Sequence, residues 1–373
     1  MKPQTPKESK RLLSLDALRG FDMFWIMGGS EVFIILGALT GWPVLEWWAG
    51  QMEHVSWHGF VFYDMIFPLF LFIAGISFPF SLAKNYDGPE KRKALYWHIF
   101  KRGLTLVVLG IIYNNAVQFD FANLRYGSVL GHIGLAWMFA ALIFINTGKR
   151  FRLIWFSGIL LGYWFLLMLF PAHDLGSTDP YSMEGSLTGL VDRLFMPGKL
   201  YLGIHDPEGL LSTVPAIATA LLGMLTGQFV NSDFLKNKLS LKALYMILAG
   251  FALIIIGKIW GLTFPINKNL WTSSFTCFAG GISLILFAVF YLVIDVWKFN
   301  RWPFFFTVIG VNSITIYLGQ ALLDFRHTSD FLFGGFASLF PESWSHLVES
   351  LGYVAVGWII LYFFYRKKIF LKV

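Results

Sequence analysis

The stretch FVFYDMIFPLFLFIAGISFPFSL, residues 60–82, is an apolar run with a single charged side chain, Asp64, and a proline at Pro68. A helix needs about 17 to 25 apolar residues to cross about 30 Å of hydrocarbon, so this run is long enough to span a membrane. Similar runs recur along the 373 residues, of which 56% are hydrophobic, and the mean hydropathy is +0.63. One water-soluble core could not bury that much apolar surface. The chain is therefore predicted to be all-α, a polytopic membrane helical bundle.

The apolar runs between short polar breaks predict ten transmembrane helices. They cover approximately residues 19–39, 60–82, 102–117, 129–147, 153–170, 211–230, 243–262, 274–295, 303–322 and 347–365. No long linker or repeat separates two domains, so residues 1–373 are predicted to form a single transmembrane domain. The longest break, about residues 171–209, is acidic. A loop of this length is expected to be either a functional external loop or a structural cap over the bundle.

The basic residues predict how the chain is oriented in the membrane. Cytoplasmic loops retain Lys and Arg, and most of the 29 basic residues fall on one side of the predicted spans. Both termini are therefore predicted to be cytoplasmic and His54 to be external. The formal net charge of +7 suits anionic lipid or a phosphate-bearing ligand, and it is poor evidence for nucleic acid. The predicted partners include the lipid bilayer and no nucleic acid.

His54 lies in EHVSWHG, residues 53–59, where an aqueous segment turns back into an apolar span. Imidazole is the only side chain whose unperturbed pKa lies near neutrality, which makes it a natural general base or acyl acceptor at a membrane surface. The alternative is an interfacial histidine that caps a helix. Asp64 would lie about 15 Å deeper than His54 in a continuous helix. The two could pair only if the chain folded back around Gly59.

Three side chains at the predicted external mouth are nearer candidates for orienting the imidazole: Glu53, Glu31 and Ser30. The candidate catalytic residues are His54, Asp64, Glu31 and Ser30. His54 and His58 have the i, i+4 spacing of two metal ligands on a helix, but the glutamate of a hydrolytic zinc helix is missing and no third ligand is evident. No metal is predicted, and His58 is assigned to acceptor binding.

The segment SLDALRGFD, residues 14–22, places Asp16, Arg19 and Asp22 on one helical face at i, i+3 spacing. One interpretation is a structural ion network in which Arg19 pairs with Asp22, because an unpaired carboxylate inside the membrane is costly. The functional interpretation is a phosphate site for a cytoplasmic donor, because guanidinium groups fit phosphate oxygens. Its candidate residues are Arg19, Arg92, Lys101 and Arg102.

Two polar segments are candidates for binding an acceptor. Asp206 and Glu208 either cap a helix that starts with Pro207 or form a carboxylate pair that attracts a cationic amine. Asn267, Lys268 and Asn269 either form an interfacial loop or hydrogen-bond a sugar and polarise an acyl oxygen.

Two polar residues inside predicted spans are harder to interpret. Asn312 is either a helix-to-helix hydrogen bond or a ligand contact, and it is assigned to the donor site. His132 is expected to be an interior histidine with satisfied hydrogen bonds.

Several motifs together resemble one family. They are SLDALRG (residues 14–20), HVSWHG (54–59), DMIFPLFLFIAG (64–75), RYGSVL (125–130), DPEGLLST (206–213), PINKNLW (265–271) and GVNS (310–313). In this order they resemble the heparan-α-glucosaminide N-acetyltransferase family and its bacterial relatives over most of the chain. Ser30 and His58 stand where the lysosomal member of the family has asparagine.

The resemblance implies a transmembrane acetyltransferase that takes acetyl-CoA from the cytoplasmic side and N-acetylates an amino sugar on the far side. His54 matches the family's catalytic histidine. The resemblance also makes a homodimer plausible, and we expect a multi-pass protein of the plasma (inner) membrane. Two other classes remain open: a secondary transporter of amino sugars or cell-wall fragments that uses the intramembrane charges as a relay, and a non-catalytic membrane scaffold.

Overall fold

The computed structural model of the chain describes residues 12–81, 89–114, 119–120 and 123–371. Apart from one isolated bridge between Arg125 and Gly198, the regular secondary structure of these residues is helical. The helices are α1 (Leu13–Phe24), α2 (Ser30–Thr40), α3 (Pro43–Gly50), α4 (Ile66–Ser81), α5 (Pro89–Tyr113), α6 (Val129–Asn146), α7 (Lys149–Leu169), α8 (Leu187–Phe195), α9 (Thr213–Asn231), α10 (Leu239–Trp260), α11 (Ser273–Phe290), α12 (Phe304–Gly310), α13 (Ser313–Leu322), α14 (Phe325–Ala337) and α15 (Glu342–Lys367).

Nine helical segments of the described residues are long and apolar enough to cross a membrane, and α12 with α13 could supply a tenth. The nine are Leu13–Thr40, Phe62–Phe80, Glu90–Tyr113, Val129–Asn146, Lys149–Leu169, Thr213–Asn231, Leu239–Trp260, Ser273–Val296 and Glu342–Lys367. The prediction of an all-α, multi-span bundle is therefore confirmed. The predicted span ends at residue 82 and residues 115–117, and the basic segments at residues 1–11 and 82–88, lie outside the described residues. The orientation of the termini stays a prediction.

The single helix predicted over residues 303–322 is wrong, because α12 and α13 are bent by 66° at a short break. α12 packs antiparallel to α1 so closely that a Cβ at Gly310 would lie 1.9 Å from the carbonyl oxygen of Asp16. After this crossing the backbone leaves the helical conformation at Asn312, whose amide donates to the carbonyl oxygen of Ile369 at 3.1 Å. Asn312 thus joins the break to the segment that follows α15.

The chain between α3 and α4 folds back on itself, and this fold-back positions His54. Residues 51–61 form no regular helix, and a short 3-10 turn, Phe62–Met65, leads into α4. Gly59 has a positive φ of 125°, a conformation that favours glycine, and its N–H donates to the carbonyl oxygen of Ile266 at 2.9 Å. The N–H of Tyr63 donates to the carbonyl oxygen of Gln51 at 3.0 Å. These bonds return the start of α4 to the level of His54.

α4 is a central helix of the bundle. Leu69 and Phe72 are fully buried. α4 packs on α9 so closely that the two backbones meet at glycine residues. A Cβ at Gly75 would lie 2.3 Å from the carbonyl oxygen of Ala220, and one at Gly223 would lie 2.1 Å from that of Phe72. Close helix packing through small residues is typical of membrane bundles. A rigid α4 fixes the position of Asp64 at its start.

The predicted external loop, residues 171–209, is ordered and contains α8. Arg193 of α8 makes a bidentate ion pair with Asp174, with N–O distances of 2.7 to 2.9 Å. The indole nitrogen of Trp57 donates to the carbonyl oxygen of Tyr181 at 2.8 Å. The loop is therefore tied to the segment that carries His54.

Candidate active site

His54 and Asp64 form a hydrogen-bonded pair, with 2.7 Å between His54 Nδ1 and Asp64 Oδ1. The His54 side chain is 49% exposed, whereas Asp64 is 1% exposed. The second carboxylate oxygen accepts the N–H of Val61 at 3.2 Å. A carboxylate that accepts from Nδ1 fixes the tautomer and leaves Nε2 as the basic nitrogen. The sequence required a fold-back around Gly59 for this pair to form, and the structure contains it: residues 54–61 fold back instead of continuing a helix.

Lys268 lies against the same imidazole. Its Nζ is 3.1 Å from Nε2 of His54 and 3.6 Å from Oδ1 of Asp64. Burial lowers the pKa of Lys268, although the carboxylates of Asp64 and Glu208 oppose this shift. At this distance the protonated amine can donate a hydrogen bond to Nε2 or to an acyl oxygen placed beside it.

A cavity of about 420 Å³ opens beside this cluster. Its polar lining includes His54, Asp64, Arg125, Tyr201, Glu208, Lys268 and Asn269. Its apolar lining includes Met23, Ile26, Phe67, Phe70, Ile133 and Ile314. Phe70 lies further along α4 than Asp64, and Ile133 lies further along α6 than Val129, so the cavity runs from the polar cluster into the bundle. It offers polar groups at the mouth and an apolar slot behind them.

Arg125 holds the carboxylates of the 206–208 segment. Its Nε and Nη2 donate to the two oxygens of Asp206 at 2.8 and 2.6 Å, and Nη2 also contacts Glu208. The guanidinium carbon lies 4.4 Å from the centre of the Tyr201 ring. Asp206 is fully buried and accepts the N–H of Glu208, so it braces the loop instead of facing the cavity. Glu208 lines the cavity, and burial raises its pKa despite the charge of Arg125.

The 267–269 segment divides into a supporting residue and two cavity residues. Asn267 is fully buried; its Oδ1 accepts the N–H of Leu270 and its Nδ2 donates to Nδ1 of His58 at 3.2 Å. Lys268 and Asn269 line the cavity, but His58 and Asn267 do not. Burial lowers the pKa of His58, and the charge of Asp179 opposes this shift. The structure therefore places His58 behind the cavity wall.

Ser30 and Glu31 are not in contact with His54, which corrects the expectation that they orient it. Glu31 lies 3.4 Å from Arg326 and lines a separate cleft of about 560 Å³. Ser30 donates to the carbonyl oxygen of Trp25 and lies near the hydroxyl of Tyr63. The Tyr63 ring lies 4.9 Å from the His54 ring, so Ser30 can influence His54 only through Tyr63. Asp64 takes the orienting position because the fold-back brings it closer.

Two of the predicted donor-site residues lie near each other at the other end of the bundle. Arg19 donates to the hydroxyl of Ser77 at 3.1 Å and lies 3.5 Å from Asp16. Arg102 stacks on the Trp137 ring at 4.2 Å and is close enough for the charge of Arg19 to act on it. From Asp64 to Ser77, α4 rises about 20 Å, so these cations lie roughly that far from His54.

The remaining donor-site candidates are dispersed. Arg92 is exposed and donates to Asn146 at 3.0 Å, and Lys101 is exposed. Asn312 contacts the segment that follows α15 and does not line the cavity. The pairing of Arg19 with Asp22 is wrong: the described residues offer no hydrogen-bond partner to either Asp22 oxygen. The expectation for His132 is also wrong, because both its ring nitrogens are buried without a partner among the described residues.

Sequence reasoning missed Arg125, Tyr63 and Tyr201 as site residues. Arg125 begins one of the quoted family motifs, and that is the only signal that could have singled it out. The tyrosines had no such signal, because they do not titrate near neutrality and their spacing is unremarkable. Within the described residues, no cluster of three His, Cys, Asp or Glu side chains could hold a metal ion.

Comparison with known proteins gives relatives over the whole length of the chain. No protein-family model matches it. The sequence is 26% identical to heparan-alpha-glucosaminide N-acetyltransferase of Mus musculus over the whole chain and 62% of that protein. It is 25% identical to the Homo sapiens protein of the same name over 97% of the chain and 60% of that protein. The chain thus spans about three-fifths of the length of these relatives. The similarity confirms the resemblance seen in the motifs: over its length the chain is similar to two heparan-alpha-glucosaminide N-acetyltransferases.

Proposed function

We propose that this protein is a membrane acetyltransferase in which His54 acts as the general base or the acetyl acceptor. The observation that carries the proposal is the joining of His54 to buried Asp64 and to Lys268 at the mouth of a cavity that enters the bundle. A nucleophile or base oriented by a third group is the arrangement that acyl transfer requires. The two relatives, whose names describe N-acetyltransferases, support the same reaction class.

His54 can serve the transfer in two ways. In direct transfer, the acceptor amine attacks the thioester carbonyl carbon, Nε2 takes the amine proton, and the thiolate leaves. In the two-step route, Nε2 attacks the carbonyl carbon and the thiolate leaves, and the amine then displaces imidazole from the acetyl group. In both routes Asp64 holds the Nδ1 proton. The Lys268 ammonium lies where it can donate to the oxyanion that develops on the carbonyl oxygen.

Acetyl-CoA is the proposed donor, with its thioester in the apolar part of the cavity and its phosphates at Arg19 and Arg102. Two neighbouring guanidinium groups suit an anion, since an anion between them would relieve their mutual repulsion. The cavity lining ends at Ile133, and Trp137, which stacks on Arg102, is about one helical turn further along α6. A slender arm would therefore need to pass one turn of side chains between the cavity and the cations.

The proposed acceptor is an amino sugar, bound at the polar mouth. Glu208 can accept from its ammonium group, and Asn269 and Tyr201 offer further polar atoms around it. We place His54 on the external side and the donor cations on the cytoplasmic side of a plasma membrane, on the strength of the distribution of basic residues. A homodimer remains part of the proposal because of the family resemblance.

The test is acetyl transfer by the purified full-length protein from radiolabelled acetyl-CoA to glucosamine. We expect His54→Ala to abolish transfer and His327→Ala, a variant of an exposed histidine, to leave it unchanged. Label trapped on the wild-type protein before acceptor is added, and absent from His54→Ala, would establish the two-step route. Full activity of His54→Ala would sink the assignment.

A secondary transporter is the second candidate, and the broken α12–α13 pair favours it. Discontinuous helices are typical of transporter binding sites. Accumulation of labelled glucosamine in vesicles without acetyl-CoA would support a transporter. Acetylation that requires acetyl-CoA, with no such accumulation, would support the transferase.

A further inference from the structure

Asp22 is a buried carboxyl group for which the proposed mechanism has no task. It lies in α1 with no exposed surface, and neither of its oxygens has a hydrogen-bond partner within the described parts of the chain. Burying a polar group without a partner costs about 1 to 3 kcal/mol in proteins, and more when the group is charged. A side chain that carries this cost in an apolar helix is expected to have a partner that comes from outside the chain.

The position of Asp22 on α1 suggests what that partner is. Arg19 and Met23 lie on the same face of α1 as Asp22, within an arc of roughly 100° at 3.6 residues per turn, and Ile26 follows in the π-helical segment Trp25–Gly29. Met23 and Ile26 line the inner part of the cavity, whereas Arg19 belongs to the cation pair at the other end. Asp22 is thus on the face that leads from the cavity to the cations.

A second observation links Asp22 to the reacting end. Asp22 lies close enough to Tyr63 for a charge on its carboxyl group to act on the tyrosine hydroxyl, and the Tyr63 ring lines the cavity 4.9 Å from the ring of His54. Arg19 and Ile26 are separated by about 10 Å along the helix axis, and Asp22 lies between them. A donor whose phosphates contact Arg19 and whose thioester reaches His54 would therefore bring its middle part to the level of Asp22.

The middle part of acetyl-CoA is the pantetheine arm, which carries two amide groups and a hydroxyl. Its N–H and O–H groups would lose their water on entering an apolar slot, and they would need acceptors there. We propose that the Asp22 carboxyl group binds the pantetheine arm by accepting a hydrogen bond from one of these groups. This inference rests on the proposed function, and it names the residue that recognises the middle of the donor.

The experiment compares Asp22→Leu with Asp22→Asn in the full-length protein, using three acetyl donors. Acetyl-CoA carries the arm and the phosphates, acetyl-pantetheine carries the arm alone, and S-pentyl thioacetate carries neither. We expect Asp22→Leu to raise KM for the first two donors about tenfold or more, because a buried N–H or O–H of the arm would be left without its acceptor. Its kcat/KM for S-pentyl thioacetate should stay within about twofold of wild type, because that donor has no group for Asp22 to bind.

Asp22→Asn separates binding from other roles. An amide oxygen still accepts a hydrogen bond but cannot carry a proton, so Asp22→Asn should keep KM within about threefold of wild type. Ser283→Ala, which removes a different buried polar group of a spanning helix, is the matched control. It should change neither KM nor kcat for any of the three donors. Binding of pantetheine itself, measured by titration, should weaken about tenfold in Asp22→Leu alone.

Three kinetic results would overturn the inference. Asp22→Leu could leave KM for acetyl-CoA unchanged, it could impair all three donors equally, or Asp22→Asn could be as damaging as Asp22→Leu. A fall in the unfolding temperature of Asp22→Leu would also contradict it, since replacing an unpartnered carboxyl by an apolar side chain should not destabilise the fold. A wild-type protein that transfers acetyl from none of the donors would instead sink the proposed function itself.

Discussion

Asp64→Asn tests how much the buried carboxylate contributes to the reactivity of His54. The substitution keeps the size of the side chain and removes the charge that accepts the Nδ1 proton at 2.7 Å. A hydrogen bond to a charged group is worth about 1.5 to 3 kcal/mol, which corresponds to a factor of about 10 to 150 in rate. Lys268 also loses the negative charge 3.6 Å from its Nζ, so the effect should lie towards the upper part of this range.

The assay is steady-state transfer from acetyl-CoA to glucosamine at saturating and subsaturating donor. We expect kcat to fall by the stated factor while KM for the donor stays within about threefold, because Asp64 contacts the imidazole and not the donor arm. Asp233→Asn is the control: Asp233 forms an ion pair with Lys236 and is 91% exposed, so its loss should change neither constant. More than half of the wild-type kcat in Asp64→Asn would refute the reasoning.

Four further predictions follow from the same contacts. Arg125→Ala leaves two buried carboxylates without a cation and should destabilise the protein by about 3 to 5 kcal/mol, measured by thermal unfolding. Burial lowers the pKa of Lys268, so the alkaline limb of the pH–rate profile should lie below the ordinary lysine value; Lys268→Arg should move it upward and Lys268→Met should remove it. Burial raises the pKa of Asp192 to about 7, so its contribution to stability is present below 3.8 and is lost as pH rises through 7; Asp192→Asn should remove that fall from the unfolding curve. Gly310→Val places side-chain atoms against the carbonyl of Asp16 and should prevent accumulation of folded protein, scored by size-exclusion chromatography in detergent.

The long spans could be predicted from the sequence because their signal is local. An apolar run such as Leu239–Trp260 must be helical to satisfy its backbone in lipid, whatever its neighbours are. The break between α12 and α13 has no such signal. It depends on the close crossing of Gly310 with α1 and on the bond from Asn312 to Ile369, both of which join segments far apart in the chain.

The site was predictable in its chemistry but not in its geometry. His54 and Lys268 could be identified as reactive side-chain types at a membrane surface. Their contact, however, joins residues that are 214 positions apart in the chain. The pairing of His54 with Asp64 depends on the bond from Gly59 to Ile266, which no periodicity reveals. The sequence could therefore name Gly59 as the place where a fold-back would bring Asp64 to His54, but it could not show that the fold-back occurs.

The difference in exposure between His54 and Asp64 implies different size limits for the acceptor and for the donor. Half of the imidazole surface is open, whereas its carboxylate is sealed within the protein. For an enzyme acting as proposed, the end of a long polymer could reach Nε2 while the rest of that polymer stayed in solution. The size of the cavity would then limit only the thioester donor. A bulky acceptor would be excluded by the shape of the cavity mouth and not by how far the cavity extends into the bundle.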